Sequence, residues 1–162
     1  MICSALEAER IKRKDKVMFE NKKEQDEMSK VLEEWTKDST NMKSAFIKLR
    51  NNLLEKENVI LSFKSRPGVS YSFRATVGNQ GEGGRQLFVM ADIIDDNPES
   101  RWLSVCFYGD MITDPDEEGD IVPGGLLGED GHCFDLYDYD ESMISYILTR
   151  IDEAHASMSA PK

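Results

Sequence analysis

The hydrophobic pattern of residues 85–113 predicts a central β-hairpin. Two strongly β-prone runs, residues 87–94 and 101–112, flank a cluster of turn-forming residues at 95–100. A half-exposed strand alternates between apolar and polar positions, whereas both faces of these two runs are largely apolar. The pattern therefore places the hairpin in the middle of a sheet, with both of its faces covered.

Further β-prone segments surround this hairpin. Residues 59–64 and 69–77 are separated by an Arg-Pro-Gly turn signal, and they predict an antiparallel hairpin with one polar face. The glycine-rich residues 78–84 predict a flexible connector, and residues 132–137 predict a short last strand. We therefore expect a mostly antiparallel sheet of about five strands.

Two amphipathic helices are predicted to pack against that sheet. Apolar residues recur every three or four positions over residues 41–56 and again over residues 141–156. Residues 38–40 offer an N-cap for the first of these helices. For the second, Asp138 has capping-box spacing with Glu141, and Asp140 is an equally good N-cap. Their apolar stripes are expected to belong to the core.

Residues 4–37 predict one long N-terminal helix, because they lack glycine and proline and carry several oppositely charged pairs four residues apart. The apolar stripe of this helix is thin, and Glu24 and Gln25 interrupt it. A helix that buries so little must pair with a copy of itself as a two-stranded coiled coil, or lie partly frayed on the surface. Both interpretations stay open.

The sequence thus predicts an α+β fold in three parts. Residues 1–38 form a helical arm that could dimerise, residues 39–157 form the α+β domain, and residues 158–162 form a disordered tail. A chain of 162 residues fits one ordinary domain with an appendage.

Acidic residues are concentrated in the second half of the chain. Residues 1–57 carry 13 Lys and Arg against 12 Asp and Glu, while residues 58–162 carry 7 against 19. Between Asp92 and Asp140 there are 15 acids and one base, Arg101. A surface of that sign repels phosphate groups, so the sequence predicts neither a nucleic-acid partner nor a membrane partner.

Cysteine usage and hydropathy predict a cytoplasmic protein. Cys3, Cys106 and Cys133 are an odd number of cysteines without CxxC spacing, which favours reduced thiols. The first residues lack the basic and long apolar segments of a secretory signal, and no apolar run is long enough to cross a bilayer.

Residues 113–131 carry the best candidate for a cation site. They form a predicted long loop with five glycines and two prolines, and loops of this length often bind ligands. An EF-hand calcium loop has oxygen ligands at positions 1, 3 and 5 and glycine at position 6. Four acids partly follow that spacing: Asp114, Asp116, Glu118 and Asp120. Because Gly125 stands where the loop needs a glutamate, we expect weak divalent-cation binding at most, or a plain solvated turn, and no other cofactor.

A second set of candidates lies at the ends of the central hairpin and on the apolar part of the loop. Converging carboxylates could support acid–base or two-metal chemistry, and exposed apolar residues could contact a partner. Asp92 stands out because it interrupts an apolar face, and Arg74 or Arg101 could pair with it. The set comprises Asp92, Asp95, Asp96, Asp110, Ile121, Val122, Leu126 and Leu127.

Cys106, His132 and Cys133 could approach each other across neighbouring strands. A zinc site would need a fourth ligand, and the surrounding acids oppose an activated thiolate. No nucleophile or phosphate-loop motif occurs in the sequence.

The leading prediction is therefore a non-catalytic, cytosolic and homodimeric module that binds a protein partner or small ligand through its acidic loop face. One alternative is an acidic chaperone-like protein that holds a basic or amphipathic client segment. Another is a divalent-metal-binding protein, or a metal-dependent enzyme, that uses the Asp/Glu-rich loop.

Overall fold

The computed structural model describes residues 18–78 and 86–159. Within these residues the chain forms three helices and seven strands. The helices are α1 (Lys22–Glu34), α2 (Met42–Leu54) and α3 (Glu141–Ser159). The strands are β1 (Met18–Phe19), β2 (Val59–Arg66), β3 (Ser70–Val77), β4 (Leu87–Ile94), β5 (Trp102–Tyr108), β6 (Asp120–Leu126) and β7 (Glu129–Leu136).

All seven strands belong to one sheet in the order β1-β2-β3-β4-β5-β7-β6. Strands β2 to β7 are antiparallel to their neighbours, and the two-residue β1 runs parallel to β2. The α+β class and the antiparallel sheet are confirmed. The estimate of five strands was too low, since β1 lies inside the predicted first helix and β6 inside the predicted loop.

The central hairpin is present as β4 and β5, but its two faces differ. One face carries Ala91, Val105 and Phe107, which are fully or almost fully buried in a core shared with all three helices. On the opposite face, Met90 lies in a second, smaller cluster that contains no residue of α1, α2 or α3. Leu87, Met90 and Tyr108 on this face are also buried, so both faces of the hairpin are largely covered as predicted, although the described helices lie on one side only.

The predicted helix over residues 4–37 is also corrected. Strand β1 precedes a break, and α1 begins after Asn21, whose side chain accepts a hydrogen bond of 2.8 Å from the backbone N–H of Glu24. Met28, Leu32 and Trp35 are buried in the main core, so α1 packs on the domain instead of projecting from it. Residues 1–17 of the predicted arm lie outside the described residues.

The other two helices match their apolar stripes. Asp38 accepts hydrogen bonds from the backbone N–H groups of Met42 (2.8 Å) and Lys43 (3.0 Å), which satisfies the start of α2. Asp140 accepts one from Met143 (3.2 Å) at the start of α3. Helix α3 runs to Ser159, so it includes two residues that were predicted as disordered tail.

The prediction of reduced thiols is wrong for two of the three cysteines. Cys106 of β5 and Cys133 of β7 are paired in register, with their Cα atoms 4.1 Å apart, and form a disulfide. Disulfides are uncommon in the cytosol, so the cysteines no longer support a cytoplasmic location. Among the described residues, no helix combines the length and apolar character needed to cross a membrane.

Candidate functional site

The predicted loop over residues 113–131 is largely an ordered hairpin. Strands β6 and β7 pair at the edge of the sheet, and the side chain of Leu126 is fully buried in the smaller cluster. A 3₁₀ turn at Gly109–Met111 follows β5 and lies beside the hairpin. Between them is an open cleft of about 590 Å³. The cleft is lined by Gly109, Asp110, Ile121, Glu129, Asp130, Gly131 and His132.

Asp114 anchors the turn that leads into β6. Its carboxylate accepts hydrogen bonds from the backbone N–H groups of Glu118 and Gly119, both at 3.0 Å, and from the hydroxyl of Tyr146. His132 Nε2 lies 2.8 Å from its second oxygen. Burial alone raises the pKa of the Asp114 carboxyl, but these four donors outweigh burial and hold that pKa well below its usual range. Asp114 is therefore a fixed negative charge at neutral pH.

This fixed charge determines how His132 is oriented. An ionised carboxylate can only accept, so Nε2 of His132 carries a hydrogen and donates it to Asp114. The imidazole also stacks on Phe134, with ring centroids 5.3 Å apart at an angle of 22°. In a neutral imidazole, Nδ1 is then the acceptor, on a ring that contributes to the wall of the cleft.

Gly119 completes the pocket around the imidazole. A Cβ atom added to Gly119 would lie 2.8 Å from His132 Cδ2 and 2.8 Å from Phe134 Cε1. Real Cβ contacts are not that short, so only glycine allows the turn to lie flat against both rings. The turn, the imidazole and β7 therefore form one packed unit.

The chemistry available to the cleft is that of an acidic receptor. Among the described residues, its lining combines three carboxylates, one imidazole and one apolar side chain, without a hydroxyl, thiol or amine that could act as a nucleophile. An oriented imidazole in such a setting accepts hydrogen bonds, and carboxylates attract ammonium and guanidinium groups. The arrangement favours binding of a cationic group.

The four residues proposed for a metal are placed differently from a calcium loop. Asp116, Glu118 and Asp120 are exposed, whereas Asp114 points inward and both of its oxygens already accept hydrogen bonds. Among the described residues, no three His, Cys, Asp or Glu side chains are arranged to hold a metal ion. The proposed cation site is therefore supported only by the spacing of these acids in the sequence.

The proposed partner-binding residues fall into separate places. Asp110 and Ile121 line the cleft, and Val122 and Leu127 are exposed on the same hairpin, whereas buried Leu126 is not available at the surface. At the far end of β5, Asp95 is 3% exposed and pairs with Arg101 Nε at 2.7 Å.

The hairpin-end carboxylates therefore do not converge. Asp92 lies opposite Ser104 in the middle of the sheet, and Asp96 is exposed near the β4–β5 loop. Burial raises the pKa of the Asp92 carboxyl, only partly offset by a hydrogen bond with Ser72 and by the charge of Arg74. Arg101, one of the two partners predicted for Asp92, pairs with Asp95 instead.

Sequence reasoning missed the contact of Asp114 with His132 and Tyr146. Asp114 was considered as a metal ligand and His132 as a partner of the cysteines, but they are 18 residues apart and meet only through the hairpin. One general signal was available: an Asp side chain in a turn often accepts hydrogen bonds from nearby backbone N–H groups, which favours a structural role for Asp114.

Substituting Gly119 by Ala tests this packing. We expect the Cβ atom to displace His132 and to lower the free energy of unfolding by about 1–3 kcal/mol, because the turn is packed against rings that cannot move freely. Urea unfolding measures the loss, and the NMR signals of the His132 ring report its displacement.

Gly109→Ala is the matched control on the other wall of the cleft. A Cβ atom there meets no atom within 4 Å, so we expect a change in unfolding free energy within about 0.5 kcal/mol. Equal unfolding free energies for the two variants would contradict the packing described for Gly119.

No family model matches this chain, and comparison with curated proteins and with solved structures gave no match either.

Proposed function

We propose that this protein is a non-catalytic binding module whose acidic cleft holds a cationic segment of a protein partner. The observation that carries the proposal is the cleft itself, which is lined by Asp110, Glu129 and Asp130 together with His132. A strongly acidic second half of the chain supports it, since long-range attraction speeds the encounter with a basic partner.

Exposed apolar side chains on the hairpin that forms one wall of the cleft refine the expected partner. Ile121 is 69% exposed and Leu127 is 61% exposed on the same hairpin, and Val122 is partly exposed between them. Large apolar side chains that face solvent next to a charged cleft are suited to contact a partner. The segment we propose therefore combines lysine or arginine with leucine-like residues.

The chaperone-like alternative uses the same surface, because a basic or amphipathic client has the same two features. A client-holding protein binds many such segments with similar affinity, whereas a specific module distinguishes between them. A homodimer formed through residues 1–38 and a cytoplasmic location remain parts of the proposal. Deleting residues 1–17 tests the dimer, because deleting all of residues 1–38 would also remove core residues of α1.

The cleft is tested with a fluorescein-labelled peptide that contains four lysines and two leucines, titrated with the full chain and followed by anisotropy. We expect Glu129→Gln combined with Asp130→Asn to weaken binding about tenfold, since each surface charge contributes up to about 1 kcal/mol. Binding should also weaken as salt is raised from 50 to 300 mM.

Glu33→Gln combined with Glu55→Gln is the matched control, because both are exposed acids outside the cleft lining and the pair removes the same two charges. It should leave the affinity unchanged. If the control weakens binding as much as the cleft variant does, the acidic cleft is not the binding site. If a peptide with glutamates in place of lysines binds equally well, a cationic partner is excluded.

A further inference from the structure

A second cleft, of about 480 Å³, lies at the opposite end of β5 from the acidic cleft. The seven residues of β5 separate the two by roughly 20–25 Å. The second cleft opens between the C-terminal end of α1 and the β4–β5 loop. It is lined by Glu34, Trp35, Thr36, Lys37, Pro98, Glu99 and Arg101.

Arg101 is the best-fixed cation of this cleft. Its Nε donates to Asp95 Oδ1 at 2.7 Å, and Asp95 is itself held by the backbone N–H of Gly68 at 2.9 Å. The guanidinium carbon lies 5.4 Å from the ring centroid of Trp35 and 5.6 Å from that of Tyr71. One hydrogen bond and two aromatic faces therefore set the plane of the guanidinium before any ligand arrives.

The two Nη groups of Arg101 are the donors that remain for a ligand. Within the described residues, the Nη groups of Arg101 make no hydrogen bond, and they are not among the buried atoms that lack a partner. They are therefore donors that solvent can reach. In the same wall, Trp35 is 2% exposed, and its indole N–H has no acceptor among the described residues. A buried donor without a partner destabilises the folded state, so an acceptor for the Trp35 N–H would be favourable.

We propose that this second cleft binds a carboxylate group. The two Nη groups of Arg101 would hold its oxygens in the parallel geometry that a planar fork favours. Trp35 lines the same cleft, with its ring centroid 5.4 Å from the guanidinium carbon, so its indole signal reports on the site. Glu34 and Glu99 at the rim oppose a dianionic phosphate, and Lys37 is already paired with Glu99 at 2.7 Å. The planar fork of Arg101, and not the net charge of the lining, favours a planar carboxylate over a tetrahedral phosphate. The site goes beyond the proposed function, since it lies at the other end of β5 and takes a group of opposite charge.

The indole N–H signals of the full chain provide the test, in ¹H–¹⁵N spectra at constant ionic strength. The chain has two tryptophans, and the Trp102→Phe variant identifies the Trp35 signal. We expect sodium acetate to shift the Trp35 signal saturably in the millimolar range, with little effect from methylammonium chloride or phosphate. A tripeptide with a free C-terminus and the same peptide amidated show whether a peptide terminus can supply the carboxylate.

Arg101→Lys should weaken acetate binding at least about tenfold, because the fork is lost while a positive charge is kept. Arg74→Lys, on the face of the sheet that carries none of the three described helices, should leave it unchanged. If Arg101→Lys does not fold, Glu99→Gln serves instead, since this exposed rim residue should tighten binding about two- to threefold when neutralised. The proposal is overturned if acetate leaves the Trp35 signal unmoved, if phosphate shifts it as strongly as acetate, or if Glu99→Gln has no effect.

Discussion

Val105→Asp is expected to abolish folding. Val105 is fully buried at the centre of the sheet, paired with Ala91 on one side and Phe134 on the other. The variant loses about 2 kcal/mol of apolar burial and adds several kcal/mol for an unpaired buried carboxylate. Because a domain of this size has a total stability of about 5–15 kcal/mol, little or none of that stability would remain. Circular dichroism at 25 °C should show no cooperative thermal transition.

Ile121→Asp is the matched control, since it makes a similar change from a β-branched apolar residue to aspartate in the same sheet. Ile121 is largely exposed on β6, so its variant should retain a cooperative transition and lose little stability. A folded Val105→Asp chain would show that β5 is not at the centre of the core.

Asp114→Asn is expected to lower the free energy of unfolding by about 2–4 kcal/mol at pH 7. The amide keeps one acceptor oxygen for Glu118 N–H and Tyr146, but it turns an NH₂ group towards the donors of Gly119 and His132. Two charge-assisted hydrogen bonds are lost and a partly buried N–H is left unsatisfied. Urea unfolding measures the difference.

The pH dependence of this difference follows from the lowered pKa of Asp114. The folded state holds the carboxyl ionised below its ordinary pKa of about 3.9, so the stabilisation is fully present above that pH and declines as the pH falls below it. The difference in unfolding free energy between wild type and Asp114→Asn should therefore shrink as the pH is lowered from 5 to 2.5. Asp116 is an exposed carboxylate of the same turn, so Asp116→Asn should have the same unfolding free energy as wild type at pH 7. Equal losses for the two variants would contradict the role of Asp114.

The parts of the fold that sequence reasoning predicted well have strong local periodicity. Residues 69–77 alternate cleanly, and β3 is found at Ser70–Val77. Strand β6 was missed because its sequence contains Pro123, Gly124 and Gly125, which read as a loop. An edge strand tolerates such residues, since one side of it makes no ladder hydrogen bonds.

The first helix was misread because its stabilising contact is not local. Glu24 looked like an interruption of the apolar stripe, yet it is 7% exposed and accepts the backbone N–H of Phe63 at 2.7 Å. Although burial raises the pKa of the Glu24 carboxyl, its hydrogen bonds from Phe63, Asn21 and Lys64 lower that pKa overall. Periodicity cannot reveal a partner that lies 39 residues away.

The acids of the candidate site were identified from the sequence, but their grouping was not. Asp95 and Asp110 are both close in sequence to the central hairpin, yet they lie at opposite ends of β5. Asp114 joined His132 and Tyr146 because α3 and β7 approach the same turn. Which residues are charged is a property of the sequence, whereas which of them meet depends on strand order and register.

The most direct measurement of the central claim is an NMR titration of the ¹⁵N-labelled full chain with the lysine–leucine peptide. If the acidic cleft holds cationic segments, the largest shifts should occur at Asp110 and along residues 129–132, with smaller shifts at Ile121 and Val122. Shifts concentrated around Arg101, or spread evenly over all exposed acids, would contradict the account.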